Sequence, residues 1–162
     1  MGAVSRIKEF IRKHGVRAEI IEFQETVESV DSASRASGYS AGRILKTLIV
    51  IAGGVPYAVI LPGDRRLDLK SMAKLTGADE VRLAKRSEVA SITGVKPGEV
   101  SPLTEEIKKL NVVVDESALN KGEVLVGGGS LHHLVRVDVD ELLRVLEPRV
   151  APVGKVMSEH TR

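Results

Sequence analysis

A single lysine, Lys46, lies near the start of a strongly apolar stretch between Ile44 and Leu61. Two β-branched, apolar runs in this stretch are joined by a short Gly-Gly connection at residues 52–55, which is typical of a β-hairpin. Both faces of the first run are mostly apolar, so the strand is predicted to be covered on both sides. Charges are seldom buried there without a partner. Lys46 is therefore either a structural residue that reaches solvent or pairs with an acid, or a residue with a chemical role.

Two glycine-bearing segments could bring backbone groups close to a ligand. Residues 94–104 contain two prolines and two glycines, which predicts an irregular, rigid loop, with a plain surface turn as the alternative. The triplet at residues 127–129 allows close backbone approach, although a bulge or hairpin turn explains it equally well. His132 and His133 follow the triplet. They do not indicate a zinc site, because no third ligand is spaced nearby, and a structural role is the simpler interpretation of the pair.

The composition excludes several other chemistries. The 162 residues include no cysteine, which excludes disulfides, thiolate zinc sites and cysteine nucleophiles. No Gly-x-Ser-x-Gly elbow, phosphate-binding loop or Rossmann glycine spacing is present, and no metal or redox cofactor is expected. The net charge of +2 permits a nucleic-acid partner without requiring one. With two Phe, two Tyr and no Trp, a bound RNA would be held by phosphate contacts and by one pocket at its end.

The length is sufficient for one domain with a substantial core, and a single domain over residues 1–162 is predicted. The tail after about residue 147 contains two prolines and a glycine and is predicted to be loosely held. No apolar run approaches the length of a membrane span, and the N-terminus lacks the apolar core of a signal peptide. A cytoplasmic location is therefore expected.

Short helices and strands alternate along the chain. Apolar spacing, capping residues and terminal glycines predict helices at residues 4–14, 29–37, 69–76, 87–93 and 138–146. Strands are predicted at residues 18–23, 44–51, 56–61, 81–84, 112–115, 123–126 and 134–137, while residues 105–110 are ambiguous between loop and helical turn. This mixture predicts an α/β or α+β domain built on a mixed sheet.

Four segments in chain order resemble one family. They are Gly-Arg-Ile-Leu-Lys-Thr-Leu-Ile-Val at residues 42–50, Leu-Asp-Leu-Lys at residues 67–70, the Gly-x-x-x-Pro loop at residues 98–102, and Val-Gly-Gly-Gly at residues 126–129 with Asp-Glu-Leu-Leu at residues 140–143. Each motif is weak alone, but four in this order, spread over residues 4–146, are fairly specific. The chain is similar to the YbaK/EbsC/ProX group of aminoacyl-tRNA deacylases, which is related to the editing domain inserted in bacterial prolyl-tRNA synthetases.

The resemblance implies a compact domain with a curved mixed sheet of about six or seven strands flanked by helices. It implies an enzyme that needs no cofactor and acts in trans on the ester of a mischarged tRNA, cysteinyl- or alanyl-tRNA for proline. The implied partners are the acceptor end of that tRNA and, further, prolyl-tRNA synthetase. The alternatives are a non-catalytic module that binds a tRNA acceptor end or a synthetase, and a small-ligand binding domain unrelated to translation.

By position, Lys46 corresponds to the functional lysine of the family. The substrate-binding residues that the resemblance implies are Gly98, Ser101, Pro102, Gly127, Gly128, Gly129, His132 and Phe23. His132 is preferred to His133 as the histidine that helps to select the amino acid, and core packing is the alternative role of Phe23. Glu99 and Thr104 stand where the family loop has glycines. A carboxylate at Glu99 could repel the tRNA backbone or meet the α-ammonium group of the substrate.

Hydrolysis of an aminoacyl ester needs no strong nucleophile, because the ester is activated. The enzyme must hold the carbonyl, stabilise the oxyanion and position a water or the ribose 2′-hydroxyl. Backbone N–H groups of the loop at residues 94–104 suit the oxyanion, and Lys46 is expected to act as a charge and hydrogen-bond anchor. Partial burial would lower its pKa. Two basic segments, residues 64–66 and 85–86, could contact tRNA phosphates or simply be solvated.

Overall fold

The computed structural model of the protein describes residues 2–157. Its helices are α1 (Ala3–His14), α2 (Val30–Ser37), α3 (Leu69–Thr76), α4 (Arg86–Thr93), α5 (Glu105–Lys108) and α6 (Val139–Leu146). Its strands are β1 (Ala18–Glu22), β2 (Leu45–Ala52), β3 (Val55–Pro62), β4 (Arg65–Leu67), β5 (Val81–Leu83), β6 (Asn111–Asp115), β7 (Glu123–Ser130), β8 (His133–Asp138), β9 (Arg149–Ala151) and β10 (Gly154–Val156).

The strands form three sheets, of which the largest is mixed and has the order β5–β2–β3–β6–β9. β2 is antiparallel to β3 and β5, whereas β6 is parallel to β3 and β9. A second, antiparallel sheet has the order β1–β8–β7, and β4 pairs with β10. The predicted mixed-sheet α/β fold is confirmed. About six or seven strands were expected in the mixed sheet, which has five, while residues 2–157 contain ten strands in three sheets. β4, β9 and β10 have three residues each and are too short to show a periodic pattern.

The β2–β3 hairpin lies at the centre of the large sheet and is covered on both faces, as predicted. Its turn residues Gly53 and Gly54 have φ angles of 56° and 79°, a left-handed conformation that glycine adopts without a Cβ clash. Leu45 and Ile49 pack into the main core on one face. Val50 packs into a second core on the other face. Lys46 is therefore held in a strand whose two faces are both fixed by packing.

The predicted helices are confirmed, and capping interactions define their ends. The Ser29 hydroxyl accepts the Ser32 N–H at 3.0 Å at the start of α2, and the Asp68 carboxylate accepts the Lys70 N–H at 3.1 Å at the start of α3. The ambiguous segment at residues 105–110 begins with one helical turn, α5. Within residues 2–157, no helix is long and apolar enough to cross a membrane.

The chain after residue 147 is more ordered than its composition indicated. β9 pairs with β6, and β10 pairs with β4. Between them the buried Asp115 carboxylate accepts the backbone N–H groups of Val153 at 2.9 Å and Gly154 at 2.7 Å. The prediction of a loosely held tail was wrong for residues 149–156, because strand pairing and this carboxylate fix the segment. The rest of that predicted tail, residues 158–162, lies outside the described residues.

Candidate functional site

A cavity of about 290 Å³ opens where β2 and β7 diverge. The two strands meet in one isolated parallel bridge, between Ile44 and Leu125. Residues 44–48 of β2 and its approach form one wall of the cavity, and Val126 and Gly127 of β7 form another. A short 3-10 turn, Pro97–Glu99, covers the gap between them. The bridge therefore holds the two sheets together at one end and leaves room for a ligand beyond it.

Lys46 lies in the wall of this cavity and is half-buried. Loss of hydration on burial lowers the pKa of its ammonium group, and the negative charge of Asp64 partly restores that pKa. Lys46 pairs with Leu61 in the hairpin, and Asp64 follows only three residues later in the turn that ends β3. The lysine is therefore a cation with incomplete hydration, which suits it to bind an anionic group that enters the cavity.

The Asp64 carboxylate is itself constrained. Its Oδ1 atom is buried and has no hydrogen-bond partner within the described chain. A Cβ atom at Gly42 would lie 2.9 Å from Asp64 Oδ2 and 3.2 Å from Lys121 Nζ, so a side chain there would displace the carboxylate. Sequence reasoning considered Asp64 only as part of a possible phosphate-binding segment. The sequence did contain one signal that Asp64 would lie near Lys46, because Asp64 follows directly after β3, the strand that pairs with Lys46.

The loop at residues 97–102 contributes to the cavity through only part of its length. Gly98 and Val100 line the cavity, and a Cβ at Gly98 would lie 3.2 Å from the Cβ of Glu28. Ser101 and Pro102 are buried outside the lining. The Ser101 hydroxyl accepts the Leu103 N–H at 3.2 Å, which fixes the end of the loop. The structure therefore places Gly98 at the cavity and leaves Ser101 and Pro102 behind it.

The three consecutive glycines lie inside β7, where the pairing with β8 shifts register between Gly127 and Ser130. Gly127 lines the cavity, and a Cβ there would lie 2.1 Å from the carbonyl oxygen of Val100. Gly128 and Gly129 do not line it. A Cβ at Gly128 would meet the His133 backbone at 2.5 Å, and Gly129 has a φ of 91° and lies against α1. Gly127 is thus at the cavity wall, whereas Gly128 and Gly129 lie in the bulge of β7, and the substrate-binding roles of the three glycines stay predictions.

The structure brings His133, rather than His132, to the cavity. His133 Nδ1 lies 2.6 Å from the Ser130 hydroxyl, which also lines the cavity, and its Nε2 lies 3.7 Å from a Glu22 carboxylate oxygen. His132 is exposed, with its Nδ1 at 3.0 Å from the Glu25 carbonyl. His132 was preferred as the histidine that helps to select the amino acid, but of the two it is His133 that lines the cavity, because it pairs with Ser130 after the register shift in β7.

Phe23 also lies outside the cavity lining. It packs against a small buried cluster that includes Val27, Ala33 and Leu134, and those three residues do line the cavity. The core-packing alternative describes its contacts, and Phe23 supports the apolar wall from behind.

Sequence reasoning missed the wall that comes before and within α2. Val27, Glu28, Ser29 and Val30 line the cavity, together with Ala33. Glu28 is exposed, and its Cβ and Cγ atoms would lie 3.2 Å and 3.7 Å from a Cβ at Gly98. Glu99, which was considered as a contact for an α-ammonium group, instead lines a small separate cavity beside Arg6. No group of three His, Asp or Glu side chains suited to a metal occurs within residues 2–157.

The site can therefore combine an ammonium group, a carboxylate, a hydroxyl–imidazole pair and an apolar wall around one small ligand.

EbsC of Enterococcus faecalis, a candidate Cys-tRNA(Pro)/Cys-tRNA(Cys) deacylase, is 25% identical over 146 residues, which cover 88% of each chain. A proline–tRNA ligase of Nitratidesulfovibrio vulgaris is 35% identical over 75 residues, which cover 46% of this chain and 13% of the ligase.

Solved structures match over nearly the whole chain. A candidate trans-editing enzyme for prolyl-tRNA synthetase superposes with a TM-score of 0.87 at 27% identity, over 96% of this chain and 98% of that chain. A hypothetical protein superposes with a TM-score of 0.86 at 34% identity, over 93% of this chain and 99% of that chain. The family model of the aminoacyl-tRNA editing domain matches residues 24–145, which include every cavity-lining residue described above. The chain therefore belongs to the aminoacyl-tRNA editing domain family.

Proposed function

We propose that the protein hydrolyses the ester of a mischarged aminoacyl-tRNA, acting in trans on cysteinyl- or alanyl-tRNA for proline. The observation that carries this proposal is the position of Lys46 in the wall of a cavity that is also bounded by Gly98 and Gly127. Both glycines stand where a side chain would approach other atoms closely, so backbone groups can reach a ligand there. Family membership supports the same reaction class, and the name of the Enterococcus faecalis relative supports the cysteinyl substrate.

The cavity dimensions favour a small amino acid. A volume of about 290 Å³ is at the lower end of ligand sites and must hold the aminoacyl group together with part of the ribose. Val27, Val30 and Ala33 supply a compact apolar surface for a short side chain. Cysteine and alanine have such side chains.

Two opposite charges suit the two ends of the substrate. Glu28 lines the cavity beside Gly98, and we infer that its carboxylate accepts hydrogen bonds from the α-ammonium group of the amino acid. Lys46, on the β2 wall, can hold the 2′-oxygen or the terminal phosphate of the tRNA. These contacts would orient the ester between the two walls. His133 and Ser130 then lie on the β7 side, where they can contribute to selection of the amino acid.

The reaction needs a stabilised oxyanion. The N–H of Gly98 is at the start of the 3-10 turn and has no backbone partner within the described chain, whereas the next two N–H groups donate to Lys96 and Pro97. It is therefore available to the carbonyl oxygen of the ester. A water attacks the carbonyl carbon, the bond to the ribose oxygen breaks, and a proton passes to that oxygen. Lys46 acts in this scheme as a fixed charge and not as a nucleophile.

Contacts outside the cavity would hold the acceptor stem. Lys85 and Arg86 are exposed at the start of α4, and Arg66 is exposed on β4. Such residues can bind phosphates, so we expect tRNA binding to weaken steeply as salt is added. Prolyl-tRNA synthetase is the further partner that we infer, since trans-editing follows its errors.

The function is tested by incubating the protein with cysteinyl-, alanyl- and seryl-tRNA and following loss of the ester. Lys46→Ala should lower the rate by roughly 10²- to 10³-fold, the range found when one stabilising donor is removed, while Lys46→Arg should retain part of it. Lys70→Ala is the matched control, because Lys70 is exposed on α3. Full turnover by folded Lys46→Ala would remove the lysine from the mechanism. Salt-sensitive tRNA binding without turnover would instead identify a non-catalytic binding module.

A further inference from the structure

The connection between β1 and α2, residues 23–29, forms one wall of the cavity without regular secondary structure. Val27, Glu28 and Ser29 of this connection line the cavity. A segment that lacks the hydrogen-bond pattern of a strand or a helix opens at a low free-energy cost unless other parts of the chain hold it. The position of this wall therefore depends on its contacts with the rest of the molecule.

Those contacts come from the turn between β7 and β8, residues 130–133. Within residues 2–157, residues 24–28 make two hydrogen bonds, and both partners belong to this turn. The Val27 N–H donates to the Leu131 carbonyl at 2.7 Å, and the Glu25 carbonyl lies 3.0 Å from His132 Nδ1. A carbonyl oxygen can only accept, so Nδ1 of His132 carries the proton and donates. Val27 is anchored a second time by its buried side chain, whereas Glu25 is exposed and depends on His132.

The turn is itself firmly held, so it can serve as a support. The Ser130 hydroxyl accepts the His132 N–H at 2.9 Å, and the His132 carbonyl accepts the Phe23 N–H at 2.8 Å. β8 continues from the turn into a regular antiparallel pairing with β1. The imidazole of His132 therefore extends from a fixed backbone to a connection that has few contacts of its own.

We infer that His132 is a positioning residue for substrate binding, an inference that rests on the proposed function. It does not line the cavity, and it acts through the Glu25 carbonyl on Val27 and Glu28, which do. Without this hydrogen bond the connection keeps one anchor, at Val27, and spends part of its time away from the ligand. Only the fraction in position binds, so the apparent dissociation constant rises as that fraction falls. The hydrolysis step is unaffected, because bound substrate selects the held position and Lys46 lies on a different element.

The test combines two measurements on the full chain. Single-turnover hydrolysis of the aminoacyl-tRNA that the wild type cleaves fastest, at varied protein concentration, separates binding from the hydrolysis step. His132→Ala should raise the half-saturating concentration about three- to tenfold, which is the contribution of one hydrogen bond, and leave the rate at saturation within about twofold. Hydrogen exchange of the Val27 amide, followed by NMR, should become faster in the same variant.

Two further variants make the result specific. His132→Asn should restore both measurements towards wild type, because the side-chain amide of asparagine can donate an N–H to the Glu25 carbonyl. His14→Ala is the matched control and should change neither measurement. His14 also makes a side-chain hydrogen bond, at 2.6 Å from a Glu105 carboxylate oxygen, but it does not line the cavity. A loss of folded protein would lower the rate at saturation and could not produce a change confined to binding.

Unchanged exchange of the Val27 amide in His132→Ala, or a wild-type half-saturating concentration, overturns the positioning role and leaves the proposed function standing. A lower rate at saturation with unchanged binding overturns it as well. If the wild type hydrolyses no aminoacyl-tRNA, the proposed function fails, and the exchange rates of the Val27 amide alone decide whether His132 holds the wall.

Discussion

Gly127→Ala tests the close approach of the two cavity walls. A Cβ at this position would lie 2.1 Å from the Val100 carbonyl oxygen and 3.1 Å from its carbonyl carbon. Ordinary contact begins at 3.4 Å, so the loop would have to retreat by about 1.3 Å. The contacted atoms belong to backbone, which cannot rotate away as a flexible side chain can. Gly98 is in the same loop, two residues before Val100, and would move with it.

We expect the substitution to affect activity more than folding. A displacement of about 1 Å in a catalytic group can lower a rate by roughly 10²-fold, because the ester carbonyl no longer meets its donor. Overpacking of this kind costs about 1–3 kcal/mol in the free energy of unfolding. Steady-state deacylation would measure the first effect, and urea unfolding followed by circular dichroism would measure the second.

Gly98→Ala provides a graded comparison, since the added Cβ would lie 3.2 Å from the Glu28 Cβ, only about 0.2 Å short of ordinary contact. Its rate should fall less than that of Gly127→Ala. Wild-type turnover and wild-type stability in Gly127→Ala would refute the reasoning, because both depend on the same contact between backbone atoms.

Three further changes test the charges and anchors of the fold. Asp64→Asn removes the carboxylate that raises the Lys46 pKa, so the alkaline limb of the pH–rate profile should move to lower pH. An unmoved limb would show that Asp64 does not influence the pKa of Lys46. Asp115→Ala leaves the N–H groups of Val153 and Gly154 without their acceptor, which should lower the free energy of unfolding by about 1–3 kcal/mol. Limited proteolysis should then cleave within residues 149–156, and Asp79→Ala, at an exposed position, is the control that should show neither effect. Arg144, followed by the Arg17 N–H, lowers the pKa of Glu141 to about 2 from 4.5. Because the folded-state pKa is depressed, the stabilisation is present above pH 4.5 and is lost as the pH falls towards 2, so the stability difference between wild type and Glu141→Gln should shrink across that window in unfolding curves.

Local sequence signals were sufficient for the elements that hold Lys46. The hairpin, its Gly-Gly turn and the N-caps at Ser29 and Asp68 follow from spacing and residue type alone, because each depends on neighbours within a few positions. β9 and β10 were not predicted, because each is stabilised by a strand distant in sequence and by Asp115 rather than by its own pattern.

The site was predictable only in outline. Lys46, Gly98 and Gly127 were identified from motifs, but the choice between His132 and His133 depends on the register shift in β7. A bulge inverts the alternation that a sequence pattern assumes, so only the coordinates decide which histidine faces the cavity. The contribution of Glu28 was missed for a related reason, since it depends on where α2 lies relative to the loop at Gly98.

A neighbouring cavity of about 200 Å³, lined in part by Leu83, Ala84 and Arg86, has one structural cause, which is the early end of β5. The Glu88 carboxylate accepts the Lys85 N–H at 2.8 Å and starts α4 directly after Ala84, so the chain leaves the sheet after three residues of β5. Within residues 2–157, the edge of β2 between Leu45 and Ile49 is then paired with no strand, and the backbone bridge to β7 lies just before it, at Ile44. A longer β5 would pair with Thr47 and close this neighbouring cavity. The local helix-start signal at residues 85–88 is therefore what leaves this edge of β2 accessible to a ligand.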